Sequence, residues 1–230
     1  MIGERIAAFH GLPEEAAAQF DAFHGLLMDW NSRIDLTAIT DENEALFRHY
    51  LDSLTGVALL PPDASVVDVG TGAGFPGVPL AIVRPDIRMT LLDALEKRVD
   101  FLRHATKAIG LAAEAVHARV EDFAKAHRET FDVALSRAVA PLPVLLEWLL
   151  PLVRVGGICV LWKGPGVEAE LAAAKHVSPL LGGGVPQIVD APVPGAEFRH
   201  VLVLVTKEGN TPEKFPRKAG MAVKRPLSIA

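Results

Sequence analysis

An α/β protein, built on one doubly wound, mostly parallel sheet of seven strands, is predicted by three features of this 230-residue sequence. Short apolar runs alternate with amphipathic stretches from residue 65 to 207. The run Val66–Val69 breaks into a turn with glycines at 70, 72, 74 and 77, as where a strand meets a helix at the ligand edge of such a sheet. The last two apolar runs leave no room for a helix between them, so they close the sheet as an antiparallel hairpin and make it mixed. Three regions follow: an N-terminal helical cap over 1–62, the sheet-bearing core over 63–207 and a basic C-terminal arm over 208–230.

Taken in order, residues 4–10 and 13–34 read as helices. In the second, Ala17, Phe20, Phe23, Leu27 and Trp30 recur at three- and four-residue spacing and make a packing face. A loop containing Asp35–Ile39 leads to a third helix over 41–60. Asp41 suits its N-cap and Glu44 the third helical position, a capping-box pattern. Arg48 and Asp52, four residues apart, are expected to pair on one helix face. Pro61-Pro62 ends the cap. Strands are expected at 65–69, 88–93, 114–118, 131–136 and 157–162, each followed by a helix: 76–84, 96–109, 121–127, 142–150 and 167–180. Pro76 suits a first helical turn, where its missing N–H is not needed. The final hairpin joins strands near 186–193 and 199–207.

Half of the residues are apolar, enough for a three-layer core. A single cysteine, Cys159, excludes an internal disulfide and a cysteine-cluster zinc site, and its apolar surroundings place it in the core. The eight histidines form no metal-binding pair, and no metal is expected. The apolar stretch 141–153 is interrupted by Glu147 and by prolines, so no membrane span is expected, and the N-terminus lacks a signal-peptide pattern. A cytoplasmic protein follows. The net charge of −5 is uneven: −7 over residues 1–60 and +4 over 211–230. Contact with a polyanion is therefore expected to be local.

The glycine turn suggests a nucleotide-like cofactor, and two kinds satisfy it. Gly72-Ala73-Gly74-Phe75-Pro76-Gly77 fits the dinucleotide pattern G-x-G-x-x-G. Asp68-Val69-Gly70-Thr71-Gly72-Ala73-Gly74 fits the acid-x-G-x-G-x-G pattern of S-adenosylmethionine enzymes. A dinucleotide sets its pyrophosphate on the helix N-terminus. A carboxylate such as Asp68 opposes that phosphate and suits the ammonium of the methyl donor, directly or through water. Four glycines exceed what packing a helix on a sheet needs. Asp93, at the end of the second strand, can accept from ribose hydroxyls, or it can cap the following helix. Val120 and Glu121 can flank an adenine and bind its amino group, or cap a helix. Arg137 ends the fourth strand within Ser136-Arg137-Ala138, a costly place for a cation unless it meets a cofactor carboxylate or a phosphate. Lys163 adds a second cation to the same rim.

These residues together resemble one family, the 16S ribosomal RNA guanine-N7 methyltransferase G, or glucose-inhibited division protein B, family. The resemblance rests on Trp30-Asn31 with Leu36–Ile39, Arg48–Leu54, Asp68–Gly77, Leu91–Arg98, Ser136–Ala138, Lys163-Gly164 and Phe215–Gly220. It implies a Rossmann-like class I methyltransferase that uses S-adenosylmethionine, with cofactor contacts at Gly70, Phe75, Val120, Glu121 and Arg137. With Asp68, Gly72 and Asp93 from the strand ends, these are the candidate cofactor residues. The implied substrate is one guanine in the 530 loop of 16S rRNA, within the small ribosomal subunit. Neither DNA, a membrane nor an obligate protein partner is implied. Asp35 departs from the asparagine that often precedes Leu-Thr-Ala-Ile, and Met221-Ala222-Val223 from a Gly-x-Pro pattern.

Guanine N7 carries an exposed lone pair, so its methylation needs no proton removed first, and no acid or base is assigned. Arg48, His49, Lys163 and Arg217 are the candidates for positioning RNA. Replacing Arg137 by Ala is expected to lower turnover and leave the fold intact. Two alternatives are a nicotinamide-dependent oxidoreductase and a non-catalytic RNA-binding protein on the same fold.

Overall fold

The computed structural model describes residues 1–137, 140–164, 166–198 and 200–228; Ala138 of the Ser136–Ala138 motif lies outside them. Two helices, α1 (Ile2–His10) and α2 (Glu14–Asn31), open the chain. A third helical stretch is composite. It runs through α3 (Glu42–Ala45), a π-helical turn (Leu46–Leu51), α4 (Asp52–Leu54) and a 3-10 turn (Val57–Leu59). Asp41 caps it as expected, its carboxylate accepting from the Glu44 N–H at 2.8 Å. The single helix expected over 41–60 is corrected at the π turn, where the Asp52 N–H donates to the Phe47 carbonyl five residues back.

The sheet then builds as β1 (Ser65–Val69), α5 (Gly77–Val83), β2 (Arg88–Asp93), α6 (Glu96–Ala108), β3 (Ala113–His117) and α7 (Val120–Ala126). It continues through β4 (Phe131–Arg137), α8 (Leu142–Leu149), β5 (Val153–Lys163), α9 (Glu168–Leu180), β6 (Gln187–Asp190) and β7 (Val201–Thr206). Strand order is β3-β2-β1-β4-β5-β7-β6. The first five strands are parallel, and β7 pairs antiparallel with both β5 and β6. β5 begins four residues before its expected start because the chain stays paired through Gly156-Gly157, where the register against β4 shifts. A side chain at 157 would meet the Asp132 carbonyl at 2.5 Å, so only glycine lets the strands approach there.

Alternation along the central strands divides the core between the two sheet faces. Val66, Leu91, Leu135 and Val160 face α2, α5 and α6, where Phe20, Phe23 and Leu102 complete one cluster. Val67, Leu92, Ala134, Cys159 and Val203 face α7, α8 and α9 in the other. The stripe read on α2 is thus a packing face against the sheet layer. The arm is not a loose tail. Phe215 and Ala222 are buried in the second cluster, and a short α10 (Met221–Lys224) follows.

Candidate functional site

β1 and β4 lie side by side, while the chain leaves them for opposite halves of the sheet. Their C-terminal ends therefore open a crevice at the switch point. The glycine turn forms one wall. The Gly70 N–H donates to the Leu92 carbonyl at 2.8 Å and the Gly72 N–H to Asp93 Oδ2 at 2.9 Å. Asp93 Oδ1 accepts from the Leu95 N–H at 2.9 Å, so one carboxylate braces the turn and the start of α6 together. Asp68 Oδ2 accepts from the Gly77 N–H at 2.9 Å. A Cβ on residue 77 would sit 2.8 Å from that oxygen and 2.4 Å from Leu91, so this glycine is required by close approach. Asp68 is fully buried. Burial pushes its carboxyl up to about 6, against the Gly77 hydrogen bond and the Arg137 charge, which lower it.

A cavity of about 450 Å³ lies over this edge, lined by Gly70, Asp93, Val120, Glu121, Arg137 and Trp148 among others. Five candidate cofactor residues therefore share one wall system. Asp68, Gly72 and Phe75 do not line it; Phe75 packs edge-on against Phe23 and Tyr50. Glu121 Oε1 accepts from the Gly220 N–H of the arm at 2.8 Å. Its Oε2 is buried without a hydrogen bond, with Arg119 Nε at 3.7 Å. Trp148 Nε1 is likewise a buried donor without a partner. A buried acceptor and a buried donor in a largely apolar cavity suit a flat heteroaromatic group with an exocyclic amine. The residues present thus fit an adenosine-type cofactor. Trp148 was not singled out from sequence, because a Trp in an apolar helix reads as core.

A second cavity, of about 300 Å³, adjoins the first and shares Arg137 with it. Arg48, His49, Asp52, Lys163 and His200 contribute to its lining. Three of the four candidate RNA-positioning residues meet here. The fourth, Arg217, lines neither cavity; its Nε donates to Glu147 Oε1 at 2.7 Å and its Nη2 to Oε2 at 2.5 Å.

The expected Arg48–Asp52 pair is corrected. Arg48 Nε pairs with Glu44 at 3.1 Å, and its guanidinium lies 4.9 Å from the centre of the Phe198 ring. The widened π turn takes residues 48 and 52 off a common face, and Asp52 turns inward, fully buried. Its Oδ2 accepts from Arg137 Nη1 at 3.0 Å and its Oδ1 pairs with His200 Nδ1 at 2.8 Å. Arg137 Nη1 also donates to the Arg48 carbonyl at 3.0 Å. The cation at the mouth of β4 is therefore held by a carboxylate and a π-turn carbonyl, which answers its desolvation cost. Arg137→Ala would take from the buried Asp52 one of its two partners and leave it His200 alone, so a loss of stability is expected beside the loss of turnover.

His49 stacks on Phe75 with 4.5 Å between ring centres. Its Nε2 lies 2.8 Å from Thr37 Oγ1 and its Nδ1 3.5 Å from Arg137 Nη2. Because the guanidinium can only donate, Nδ1 is the unprotonated nitrogen and Nε2–H donates to Thr37. Burial and the Arg137 charge push His49 down to about 4. It lines the second cavity as a neutral ring rather than as a cation for phosphate. Lys163 Nζ pairs with Glu170 Oε2 at 2.9 Å and donates to the Ala140 carbonyl at 3.2 Å. Among the described residues no acidic, His and Cys group is arranged to hold a metal, and no helix is long and apolar enough to cross a membrane.

Comparison with known proteins matches residues 16–192 to the model of a family described as rRNA small subunit methyltransferase G. Proteins named ribosomal RNA small subunit methyltransferase G are similar over nearly the whole chain. That of Moorella thermoacetica is 44% identical, covering 94% of this chain and 92% of its own. That of Halalkalibacterium halodurans is 45% identical, covering 91% and 90%. Among solved structures, TYW2 of M. jannaschii in complex with AdoMet aligns with a TM-score of 0.54 at 15% identity, covering 68% of this chain and 74% of that one. That likeness carries the fold.

Proposed function

The chain belongs to the rRNA small subunit methyltransferase G family, and we propose that it methylates N7 of one guanine in the 530 loop of 16S rRNA. Membership chooses between the two cofactor readings of the glycine turn: the chain is a methyltransferase, not an oxidoreductase, and its donor is S-adenosylmethionine. One observation supports the two-substrate reading most directly. Arg137 borders both a cavity suited to a nucleoside and a cavity bearing Arg48 and Lys163.

When bound, S-adenosylmethionine supplies a methyl group on a cationic sulfur. The residues of the chain do the rest by holding. Glu121 Oε2 and the Val120 side chain are placed to take the adenine amine and face. Asp93 stands at the strand end where ribose hydroxyls would lie, already bonded to the backbone of the glycine turn, so its geometry is fixed in advance. Arg137, locked by Asp52, stands between donor and acceptor. N7 of neutral guanine presents a lone pair, so no side chain need remove a proton. Catalysis then rests on proximity and alignment in a preorganised crevice.

The test uses purified protein, labelled S-adenosylmethionine and small-subunit RNA lacking the modification, free and within the 30S particle. Digestion should place the label in 7-methylguanosine at a single loop position. Label in another nucleoside would overturn the acceptor atom. Cofactor binding with no transfer to either substrate would point to another RNA or a missing partner, and no cofactor binding at all would favour a non-catalytic RNA-binding protein.

A further inference from the structure

The second cavity holds a pair of residues that the sequence patterns did not connect. His200 stands at the start of β7 and Asp52 in the cap, 148 positions apart, yet His200 Nδ1 lies 2.8 Å from Asp52 Oδ1. Asp52 already accepts from Arg137 through its other oxygen. An ionised carboxylate can only accept, so Nδ1 carries the hydrogen, and it is the neutral form of the ring that presents a lone pair at Nε2. That Nε2 has no hydrogen-bond partner among the described residues. The other polar groups on this wall are occupied: Arg48 by Glu44, Lys163 by Glu170, and both ring nitrogens of His49 by Thr37 and Arg137. The cavity therefore offers an oriented acceptor beside cations that only donate. At about 300 Å³ it lies at the small end of ligand pockets.

We propose that this cavity receives the target guanine, out of its stack, and that His200 reads it by accepting the N1–H of its Watson–Crick edge. The proposal rests on the guanine-N7 reading above and adds the residue that discriminates between purines. Adenine also has an N7 lone pair, so nucleophilicity alone does not exclude it. Its N1, however, is an acceptor, and would face the His200 Nε2 lone pair. Asp52 acts through His200 and Arg137 as a positioning residue, fixing the tautomer of one and the direction of the other. Extrusion of the base costs free energy, which enclosure and hydrogen bonds to this edge help to offset.

The test compares three RNAs, carrying guanosine, 1-methylguanosine or adenosine at the target position, in the wild type and in two variants. His200→Asn keeps a donor toward Asp52 but withdraws the acceptor from the Nε2 position. His200→Gln reaches that position with an amide oxygen. S-adenosylhomocysteine affinity and thermal midpoint are measured alongside. Wild type should prefer guanosine to 1-methylguanosine by about 10- to 100-fold in kcat/KM, the effect of one lost buried hydrogen bond. In His200→Asn that preference should collapse with cofactor affinity unchanged, and His200→Gln should restore part of it. An unaltered preference in His200→Asn would overturn the proposal. So would equal loss on all three RNAs together with a lowered thermal midpoint, since that marks a structural role. If wild type forms no 7-methylguanosine from the guanosine RNA, the reading of the reaction itself fails first.

Discussion

At the scale of single residues, the centre is governed by which charges are buried and what each is given. Arg137 has 12% of its side chain exposed and Asp52 none. Removing one partner of such a pair leaves the other charged and desolvated. Arg137→Ala should therefore cost about 3–5 kcal/mol of stability as well as turnover. Denaturant midpoints and single-turnover rates of the same preparation separate the two effects; an unchanged midpoint would contradict the pairing. Two other groups titrate in opposite senses. The folded Asp68 carboxyl lies at about 6, above the ordinary 3.8. Burial penalises its ionised form, so that cost is full above pH 6 and fades as pH falls toward 3.8. His49 lies at about 4, below the ordinary 6.5. Its contribution is full above pH 6.5 and is lost as pH falls through 4. Asp68→Asn keeps an acceptor for the Gly77 N–H and removes the ionisation. Relative to wild type, it should gain about 2 kcal/mol in unfolding free energy between pH 4 and pH 7. Urea titrations across that range check this, and a constant offset would contradict it.

At the scale of elements, the sequence carried β1 to β4 to within a residue, because both faces of β1, β2 and β4 are buried and so read as short apolar runs. It also carried Gly70, Asp93, Val120, Glu121 and Arg137 to one crevice, because a doubly wound sheet brings all its strand ends to one edge. Three things were not legible. The π turn leaves no mark in composition, since Leu46–Leu51 reads as ordinary helix. The Asp52–His200 bond joins residues with no local relation. The arm is rich in Pro, Gly and Lys/Arg, as an extended tail would be, yet its anchors are an arginine and two buried carboxylates contributed by other parts of the chain. Arg128 donates to the Phe215 carbonyl at 2.7 Å, Glu147 holds Arg217, and Glu121 holds the Gly220 N–H. Arg217→Ala should loosen the arm and with it the setting of the Glu121 carboxylate. We expect S-adenosylhomocysteine to bind about tenfold more weakly, the equivalent of one hydrogen bond. Quenching of Trp148 fluorescence reports that affinity, with Trp148→Phe as the control that the signal is local. Equal affinity in Arg217→Ala and wild type would disconnect the arm from the cofactor site.

At the scale of the whole molecule, a net charge of −5 sits awkwardly with a polyanionic substrate. The cations on the second cavity are not standing free. Arg48 is matched by Glu44 and Lys163 by Glu170, so RNA phosphates must compete with these carboxylates. Binding to unstructured RNA should therefore be weak and only shallowly salt-dependent. Replacing Arg48 by Gln should reduce the slope of log affinity against log salt by about 0.7–0.9, the value of one phosphate contact. An unchanged slope would remove Arg48 from the RNA contact.

Arg137 is a wall common to both cavities, and that fixes a thermodynamic consequence. Whatever one ligand does to the direction of this guanidinium, the other ligand feels. If donor binding draws Arg137 toward the geometry that suits the base, then RNA must tighten the donor by the same factor, because linkage between two equilibria is reciprocal. The order in which the substrates arrive becomes a matter of rates alone, and the free-energy square closes whichever comes first. The same square applies to the products: loss of the positive sulfur changes the charge near Arg137, so release of the methylated RNA and of S-adenosylhomocysteine should be coupled events. Titrating each product in the presence and absence of the other measures that coupling from both sides, and the two values must agree.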